Sequence, residues 1–397
     1  MNIGIYGGTF DPPHKGHITA ARAAMSALHL DRLLLIPDAV PPHKALPEGS
    51  PTAQQRCDMA VLATAELGRQ AEASDMELRR PGVSYTADTL AQLRRQYPED
   101  ELYLLMGTDM FLSLQSWRQP ERIAALAHIA PFRREREDDP AAFASQKERL
   151  ERDYGASVTV VPNPDVVDIS STEVRAALAQ GGGEDMLPPA VWGYICREQL
   201  YGTHTDLKHL TPDELRPVAL SYLKPKRMPH VLGTEQEAVR LAERYGADVT
   251  KARVAALLHD CTKKLDMAEQ LALCERYRIP LDELERKALK LLHSKTGAAI
   301  ARDVFAVDDE VYNAILYHTT GKPDMTLLEK IIYLADYIEP TRDFPGVEEL
   351  RRTVYEDLDR GLLLGLTMTI QEMEELGNPV HHMTRDARDY LMKRGIS

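Results

Sequence analysis

Residues 7–17 read GGTFDPPHKGH, a run suited to gripping an anion. Gly7 and Gly8 carry no side chain, so the backbone there can approach a phosphate closely. His14 and His17 are three residues apart and share a face on a helical turn. Two imidazoles so placed can donate hydrogen bonds to phosphoryl oxygens. A second string, Ile169-Ser170-Ser171-Thr172-Glu173-Val174-Arg175, reads as the start of a helix. Ser170 or Ser171 can cap it, and Arg175 follows about one turn later. Helix N–H groups, hydroxyls and a guanidinium together make a second anion site.

The second half of the chain offers different chemistry. His230, His259, Asp260, His293, His318 and Asp336 each stand beside an apolar run: MPHVLG, AALLHD, KLLHSK, ILYHTT and YLADYI. Imidazoles and carboxylates buried among leucines cost free energy unless they are paired or hold a metal. One such residue is commonly a satisfied core histidine, but six at helix ends point to a metal centre. The donors are nitrogen and oxygen without thiolate. That mix suits Fe, Mn, Co or Ni at an open catalytic site better than structural Zn. The set is large enough for two ions, which can activate a water and clamp a phosphoryl group.

The elements that must hold these groups divide the chain in two. In the first half, apolar runs at Ile3–Tyr6, Leu33–Ile36, Leu102–Met106, His128–Pro131 and Val158–Val161 read as strands. They alternate with helical stretches at Gly16–Leu28, Ala53–Leu67 and Thr172–Leu178. That alternation predicts an α/β fold with a parallel doubly wound sheet, which binds ligands beyond the carboxyl ends of its strands. The pattern changes after Tyr201. A polar, Pro-containing stretch predicts a linker at 202–211, between one domain at 1–201 and another at 212–397. The second reads as all-helical, with helices at Leu215–Leu223, Val231–Tyr245, Ala252–Leu258, Met267–Tyr277, Asp282–Leu292, Thr296–Val304, Glu310–Leu316 and Thr326–Tyr337. Residues 133–140 read as a charged loop, and His204, His209, His381 and His382 as surface residues.

Composition excludes several classes. Net charge is −13 over 397 residues, with 20 Lys+Arg against 28 Asp+Glu up to residue 200 and 28 against 33 beyond it. Neither half carries the cationic field of a general nucleic-acid binder. Cys57, Cys196, Cys261 and Cys274 form no CxxC pair, which fits a reducing, cytoplasmic setting. MNIGIYGG has no basic region and is too short for a signal peptide. No stretch reaches the roughly 20 apolar residues of a membrane helix. The sequence is compatible with a homo-oligomer.

With PPHK at 41–44, SYTADTL at 84–90, GTDM at 107–110 and Trp117, the first half resembles bacterial nicotinate mononucleotide adenylyltransferases. The resemblance implies a Rossmann-like fold and adenylyl transfer from ATP to nicotinate mononucleotide, with Mg²⁺, giving deamido-NAD and pyrophosphate. It assigns His14 and His17 to the reacting phosphates. Ser170, Ser171, Thr172 and Arg175 go to the pyrophosphate. Gly7, Gly8, Thr9 and Phe10 belong to the nucleotide loop, and Lys44 is a candidate for a second phosphate contact. Trp117 would stack on the pyridine ring, Thr86 beside Tyr85 would receive the nicotinate carboxylate, and Asp109 would hold ATP or ribose. The family's Arg-Pro-Gly after the fifth strand is replaced here by PFRRERED, so Arg133 or Arg134 takes the mononucleotide phosphate.

The second half resembles HD-domain metal phosphohydrolases, in particular the branch that splits diadenosine tetraphosphate symmetrically into two ADP. By this resemblance His230, His259, Asp260, His293, His318 and Asp336 hold a di-metal centre of Fe, or of Mn or Co. Asp260 is its catalytic carboxylate, and Lys263 and Arg342 face substrate phosphates. The rival expectation is a non-catalytic HD module that binds a nucleotide and regulates the first half, or a hydrolase of other nucleotides.

Overall fold

Ile3 and Ile5, both fully buried, lie in the central strand of a five-stranded parallel sheet. The computed structural model describes residues 1–41, 45–133, 139–163 and 165–396. Lys44 and Arg134 fall outside the described residues. The chain forms two units, Met1–His204 and Thr205–Ser397.

In the first unit the strands are β1 (Asn2–Gly8), β2 (Arg32–Pro37), β3 (Ala71–Ala73), β4 (Glu101–Gly107) and β5 (His128–Phe132), in the order β3-β2-β1-β4-β5. The helices between and after them are α1 (Lys15–Ala27), α2 (Ala53–Ala63), α3 (Thr86–Gln96), α4 (Thr108–Ser113), α5 (Pro120–Leu126), α6 (Pro140–Tyr154), α7 (Ser171–Ala179) and α8 (Pro189–Glu198). β1 pairs with β2 on one side and β4 on the other, so the strand order reverses there. Such a switch point opens a crevice beyond the strand carboxyl ends. GGTFDPPHKGH leaves β1 at that edge and GTDM leaves β4 beside it.

The stretch Val158–Val161, expected as a strand, joins the sheet only through isolated bridges to Ile129 and Phe132. Ile129, Thr159 and Val161 all donate backbone bonds across this edge, but the rung between them would need an N–H on Pro131. Proline has none, so the ladder is interrupted. Conversely, β3 was not foreseen: it is three residues long, and its central Glu72 is exposed.

The second unit is helical: α9 (Pro212–Ser221), α10 (Met228–Tyr245), α11 (Val249–Leu258), α12 (Met267–Arg276), α13 (Leu289–Phe305), α14 (Asp309–Tyr317), α15 (Leu327–Ile338), α16 (Val347–Glu356), α17 (Leu358–Glu375) and α18 (His382–Lys393). Its core includes Leu241, Leu257, Leu258, Ile315, Ile331, Leu334 and Leu366, all fully buried. Two features correct the sequence reading. Residues 282–288 form no α-helix, and α13 runs unbroken through Lys295. Asp282 and Glu285 instead close a reciprocal turn, each accepting from the other's backbone N–H. His381 is buried rather than superficial: its Nδ1 accepts the Met383 N–H at the head of α18, while its Nε2 faces Glu285 at 3.3 Å. His382 is exposed as expected.

The proposed linker also contains structure. Residues 207–209 form a 3₁₀ turn, and Leu207 and Leu210 line a cavity with Leu215, Val254, Phe305 and Val311. Among the described residues no helix is long and apolar enough to cross a membrane.

Candidate active sites, a phosphate loop and a metal centre

The phosphate loop is held from three distant places. Arg56 on α2 is fully buried; its guanidinium donates to Thr9 O at 2.7 Å, Asp38 Oδ1 at 2.9 Å and Ala39 O at 3.2 Å. Thr9 Oγ1 closes the ring by donating to Asp38. Tyr201 Oη donates to Asp11 Oδ1 at 2.8 Å, and Asp11 is itself buried. The third contact joins the two sequence motifs, more than 150 residues apart. Ser171 Oγ donates to Pro12 O at 3.1 Å, and Arg175 donates to Asp11 O at 2.7 Å.

His14 and His17 sit at the head of α1 with ring centroids 3.8 Å apart. The His14 N–H donates to His17 Nδ1 at 3.1 Å. That bond uses the Nδ1 lone pair, so the neutral ring carries its proton on Nε2 and remains a donor there. Gly16 permits this packing: a Cβ would lie 3.0 Å from the His14 ring and 3.0 Å from Val167 O. At Gly7 and Gly8 a Cβ would meet nothing closer than 3.5 Å among the described residues, so none of these neighbours demands glycine there.

The remaining candidates distribute as follows. Phe10 is buried under Tyr6 and His17, so it supports the loop from beneath. Ser170 caps α7 in a reciprocal box with Glu173, and Thr172 accepts from Arg175. Asp109 is exposed in the first turn of α4. Trp117 is partly buried against the unit's hydrophobic core. Tyr85 precedes Thr86 at the head of α3, and the Arg118 guanidinium covers its ring at 4.4 Å, joining the two segments. Arg133 follows β5, and its carbonyl accepts from Asn163.

In the second unit the six His and Asp residues converge. They form overlapping triads: His230, His259 and Asp260; His259, His318 and Asp336; Asp260, His293 and His318. His230 comes from the first turn of α10, His259 and Asp260 from the end of α11, and His293 from α13. His318 caps α14, and Asp336 lies near the end of α15.

Three of the imidazoles are oriented by their other nitrogen. His259 Nδ1 lies 2.6 Å from Ala256 O, His318 Nδ1 2.7 Å from Ile315 O, and His230 Nδ1 3.0 Å from Glu339 Oε1. A nitrogen facing a carbonyl or carboxylate oxygen carries the proton, so each Nε2 offers a lone pair inward. His230 Nε2 is 3.0 Å from Asp336 Oδ1, His259 Nε2 is 3.6 Å from Asp260 Oδ2, and His318 Nε2 is 3.1 Å from His293 Nε2. His293 Nε2 lies 3.2 Å from Asp260 Oδ1. Among the described residues, His230 Nε2, His259 Nε2 and Asp260 Oδ1 make no hydrogen bond. Converging lone pairs and carboxylates repel one another unless cations lie between them. The donors therefore fit divalent metal ions.

The electrostatics agree. Burial pushes the Asp260 carboxyl up, but His259, His293 and Lys263 overcome this and hold it well below the usual carboxylate range. Asp336 is held low in the same way, by His230, His259 and Arg342. Burial drives His293 and His318 down to about 4, keeping them neutral and able to ligate. Both Lys263 and Arg342 face this cluster: Lys263 Nζ is 3.0 Å from His293 Nε2, and Arg342 donates to Asp336 Oδ1 at 2.7 Å.

Two protein families match this chain: a cytidylyltransferase-like family over residues 5–177 and the HD domain over residues 227–341. A "probable nicotinate-nucleotide adenylyltransferase" of Shewanella sp. (strain ANA-3) is 39% identical over 215 residues, spanning 51% of this chain and 99% of the relative. A "bis(5'-nucleosyl)-tetraphosphatase, symmetrical" of Halalkalibacterium halodurans is 40% identical over 182 residues, 45% of this chain and 97% of the relative. The chain belongs to both families. A crystal structure from Clostridium acetobutylicum, described as a predicted HD superfamily hydrolase involved in NAD metabolism, is 43% identical. It covers 47% of this chain and 98% of its own, with a TM-score of 0.45. Membership in the HD family implies divalent metal, and the convergent donors of the second unit accommodate it.

Several residues of the HD site escaped the sequence reading. Arg227 donates to Asp260 Oδ2 at 2.6 Å and lies three residues before His230. Glu339 lies three residues after Asp336 and accepts from His230. In both cases the signal was proximity to a motif histidine or aspartate on one helical face. In the adenylyltransferase unit, Asp11, Asp38, Arg56 and Tyr201 were also missed. Asp11 stands inside the motif, but Arg56 and Tyr201 are distant in sequence and carry no local mark.

Proposed function

We propose that the chain is a bifunctional cytoplasmic enzyme of adenylylated polyphosphates, with one activity in each unit and the boundary near residues 202–211. The first unit transfers an adenylyl group from ATP to nicotinate mononucleotide. A 5′-phosphate oxygen of the mononucleotide attacks the α-phosphorus of ATP, the bond to the β-phosphate oxygen breaks, and pyrophosphate leaves. No covalent enzyme intermediate is required, so the protein's work is positioning and charge stabilisation. His14 and the Nε2–H of His17 hydrogen-bond the transferring phosphoryl oxygens. Arg175 and the N-terminus of α7, with Ser170, Ser171 and Thr172, hold the departing pyrophosphate. Mg²⁺ travels with ATP and takes most of its ligands from phosphate and water. Thr86, Asp109, Trp117 and Arg133 recognise the two nucleotides.

The second unit hydrolyses diadenosine tetraphosphate to two ADP. The observation that carries this is the inward convergence of four imidazoles and two carboxylates at helix ends. His230, His259, Asp260, His293, His318 and Asp336 would hold divalent ions, with Fe, Mn or Co favoured by the thiolate-free donor set. Such ions supply Lewis acidity toward water and phosphoryl oxygen. Arg227, Lys263 and Arg342 bring three cations to the same edge, where they can receive a polyphosphate. The low-lying Asp260 carboxyl stays ionised at neutral pH, so it would serve the reaction as an anionic ligand at the centre of the donor set.

The test is chromatography of products from the intact chain. ATP with nicotinate mononucleotide is expected to give deamido-NAD and pyrophosphate. Diadenosine tetraphosphate with Fe²⁺, Mn²⁺ or Co²⁺ is expected to give ADP alone. ATP plus AMP rejects symmetric cleavage, and no hydrolysis with any of these metals favours a regulatory module.

A further inference from the structure

Glu339 is fully buried at the end of α15, three residues past Asp336. Its carboxylate is tethered on two sides. Thr341 donates its backbone N–H at 2.7 Å and its hydroxyl at 2.5 Å, and His230 Nδ1 lies 3.0 Å from Oε1. With both Thr341 groups donating to it, the carboxylate is placed to accept from His230 as well, which puts the proton of the neutral ring on Nδ1.

The space for that carboxylate comes from a different helix. Gly233 lies one turn after His230 on α10. A Cβ built there would lie 2.4 Å from Glu339 Oε2 and 3.3 Å from its Cδ. Glycine weakens a helix interior, and Gly233 has no positive φ to require it. Its one evident demand is room for the carboxylate.

We propose that Gly233, Glu339 and Thr341 form a positioning unit that fixes the His230 tautomer and so presents Nε2 to the metal centre. The inference rests on reading His230 as a metal ligand. Glu339 is a positioning residue, acting only through His230, and Gly233 acts only through Glu339. Outer partners of this kind are worth about 10–100-fold in metal affinity.

The experiment titrates the metal-free full chain with Co²⁺, following the visible absorption of the bound ion and fitting its affinity. Glu339→Gln keeps the shape and removes the charge, and is expected to weaken Co²⁺ binding by at least about 10-fold. Gly233→Ala displaces the carboxylate and is expected to do the same. Because both act through one contact, the double variant is expected to lose little more than either single one. A residue needed only for packing would instead lower the melting temperature of the metal-free protein and leave the affinity intact. His230→Ala separates the two readings. If wild type binds no Co²⁺, or His230→Ala binds it as tightly as wild type, the ligand assignment fails. If His230→Ala loses affinity but Glu339→Gln retains it, the positioning unit is overturned. Should Gly233→Ala fail to melt cooperatively, Glu339→Gln alone decides.

Discussion

The two sites solve opposite problems. The loop proposed to hold phosphate would meet a ligand that brings its own charge, and its builders are backbone, hydroxyl and imidazole groups. Its ion pair, the buried Arg56 with the half-buried Asp38, lies behind the loop as a clamp. The HD site buries its own charge, with two depressed carboxylates among four histidines and three cations at the edge. One site is largely contiguous in sequence, and the other is drawn from five helices. A loop that meets a mobile anion can be written as a short motif with supports elsewhere. A cage for a small cation needs donors from several directions, which only distant segments can supply.

The sharpest break between the sites is Asp260→Ala. Hydrolysis of diadenosine tetraphosphate is expected to fall by at least ~10³-fold, the scale of removing a central catalytic group. Bound metal should drop in parallel by elemental analysis, while deamido-NAD synthesis continues. The reciprocal variant, His17→Ala, is expected to cut adenylyl transfer by at least ~10²-fold, as for losing one preorganised donor. Hydrolysis in that variant should stay at the wild-type rate. If either substitution silences both reactions, the two sites are not independent.

Acid should separate the units next. His293 and His318 titrate near 4 in the folded chain, against an ordinary value of 6.5. Between those values the unfolded chain binds protons that the folded chain does not, so stability falls as pH drops from about 6.5 toward 4. His230 works in the other sense, since Asp336 and Glu339 raise it against the effect of burial. Burial lowers His259 as well, so three depressed imidazoles of the cluster outweigh one raised. The metal-free chain is therefore expected to show one melting transition that moves down between pH 7 and pH 5. Divalent metal should restore it most strongly near neutral pH. A pH-independent pair of transitions would contradict this.

The smallest expected effect concerns the join. A second unit beginning at Thr205 should be more stable than one beginning at Pro212 by about 1.5–3 kcal/mol, roughly the burial of one or two leucines. Urea unfolding of the two forms measures it. Equal stabilities would mean that Leu207 and Leu210 contribute nothing to the unit.

Much of this was legible because period and motif coincide. The apolar runs of β1, β2 and β4 each end at their site residues, and Thr211-Pro212-Asp213-Glu214 marks the start of α9, whose cap it forms. What could not be read has physical causes. Pro131 removes one rung from a strand pairing without changing the apolar pattern of Val158–Val161. His293-Ser294-Lys295 reads as a polar break, yet it continues α13, where Thr296 bonds back to Leu292 O and to Gln270. His381 looks superficial beside His382, yet it is buried with its Nε2 facing Asp282 and Glu285 of the turn. Supports such as Arg56 and Tyr201 act across the fold, and no local spacing announces them.

Tyr201 has one more consequence. Its hydroxyl reaches the phosphate loop from the last turn of the first unit, and Thr203 just beyond it is buried and bonded to Leu200 O. The apolar anchoring of the second unit starts at Leu207. Only His204, Thr205 and Asp206 lie between these obligations. A recombination event that joins, separates or swaps two such units therefore has a very narrow permissible breakpoint. Cutting a few codons early removes the Tyr201 strut beneath Asp11, and cutting a few codons late strips the apolar lead-in of the second unit.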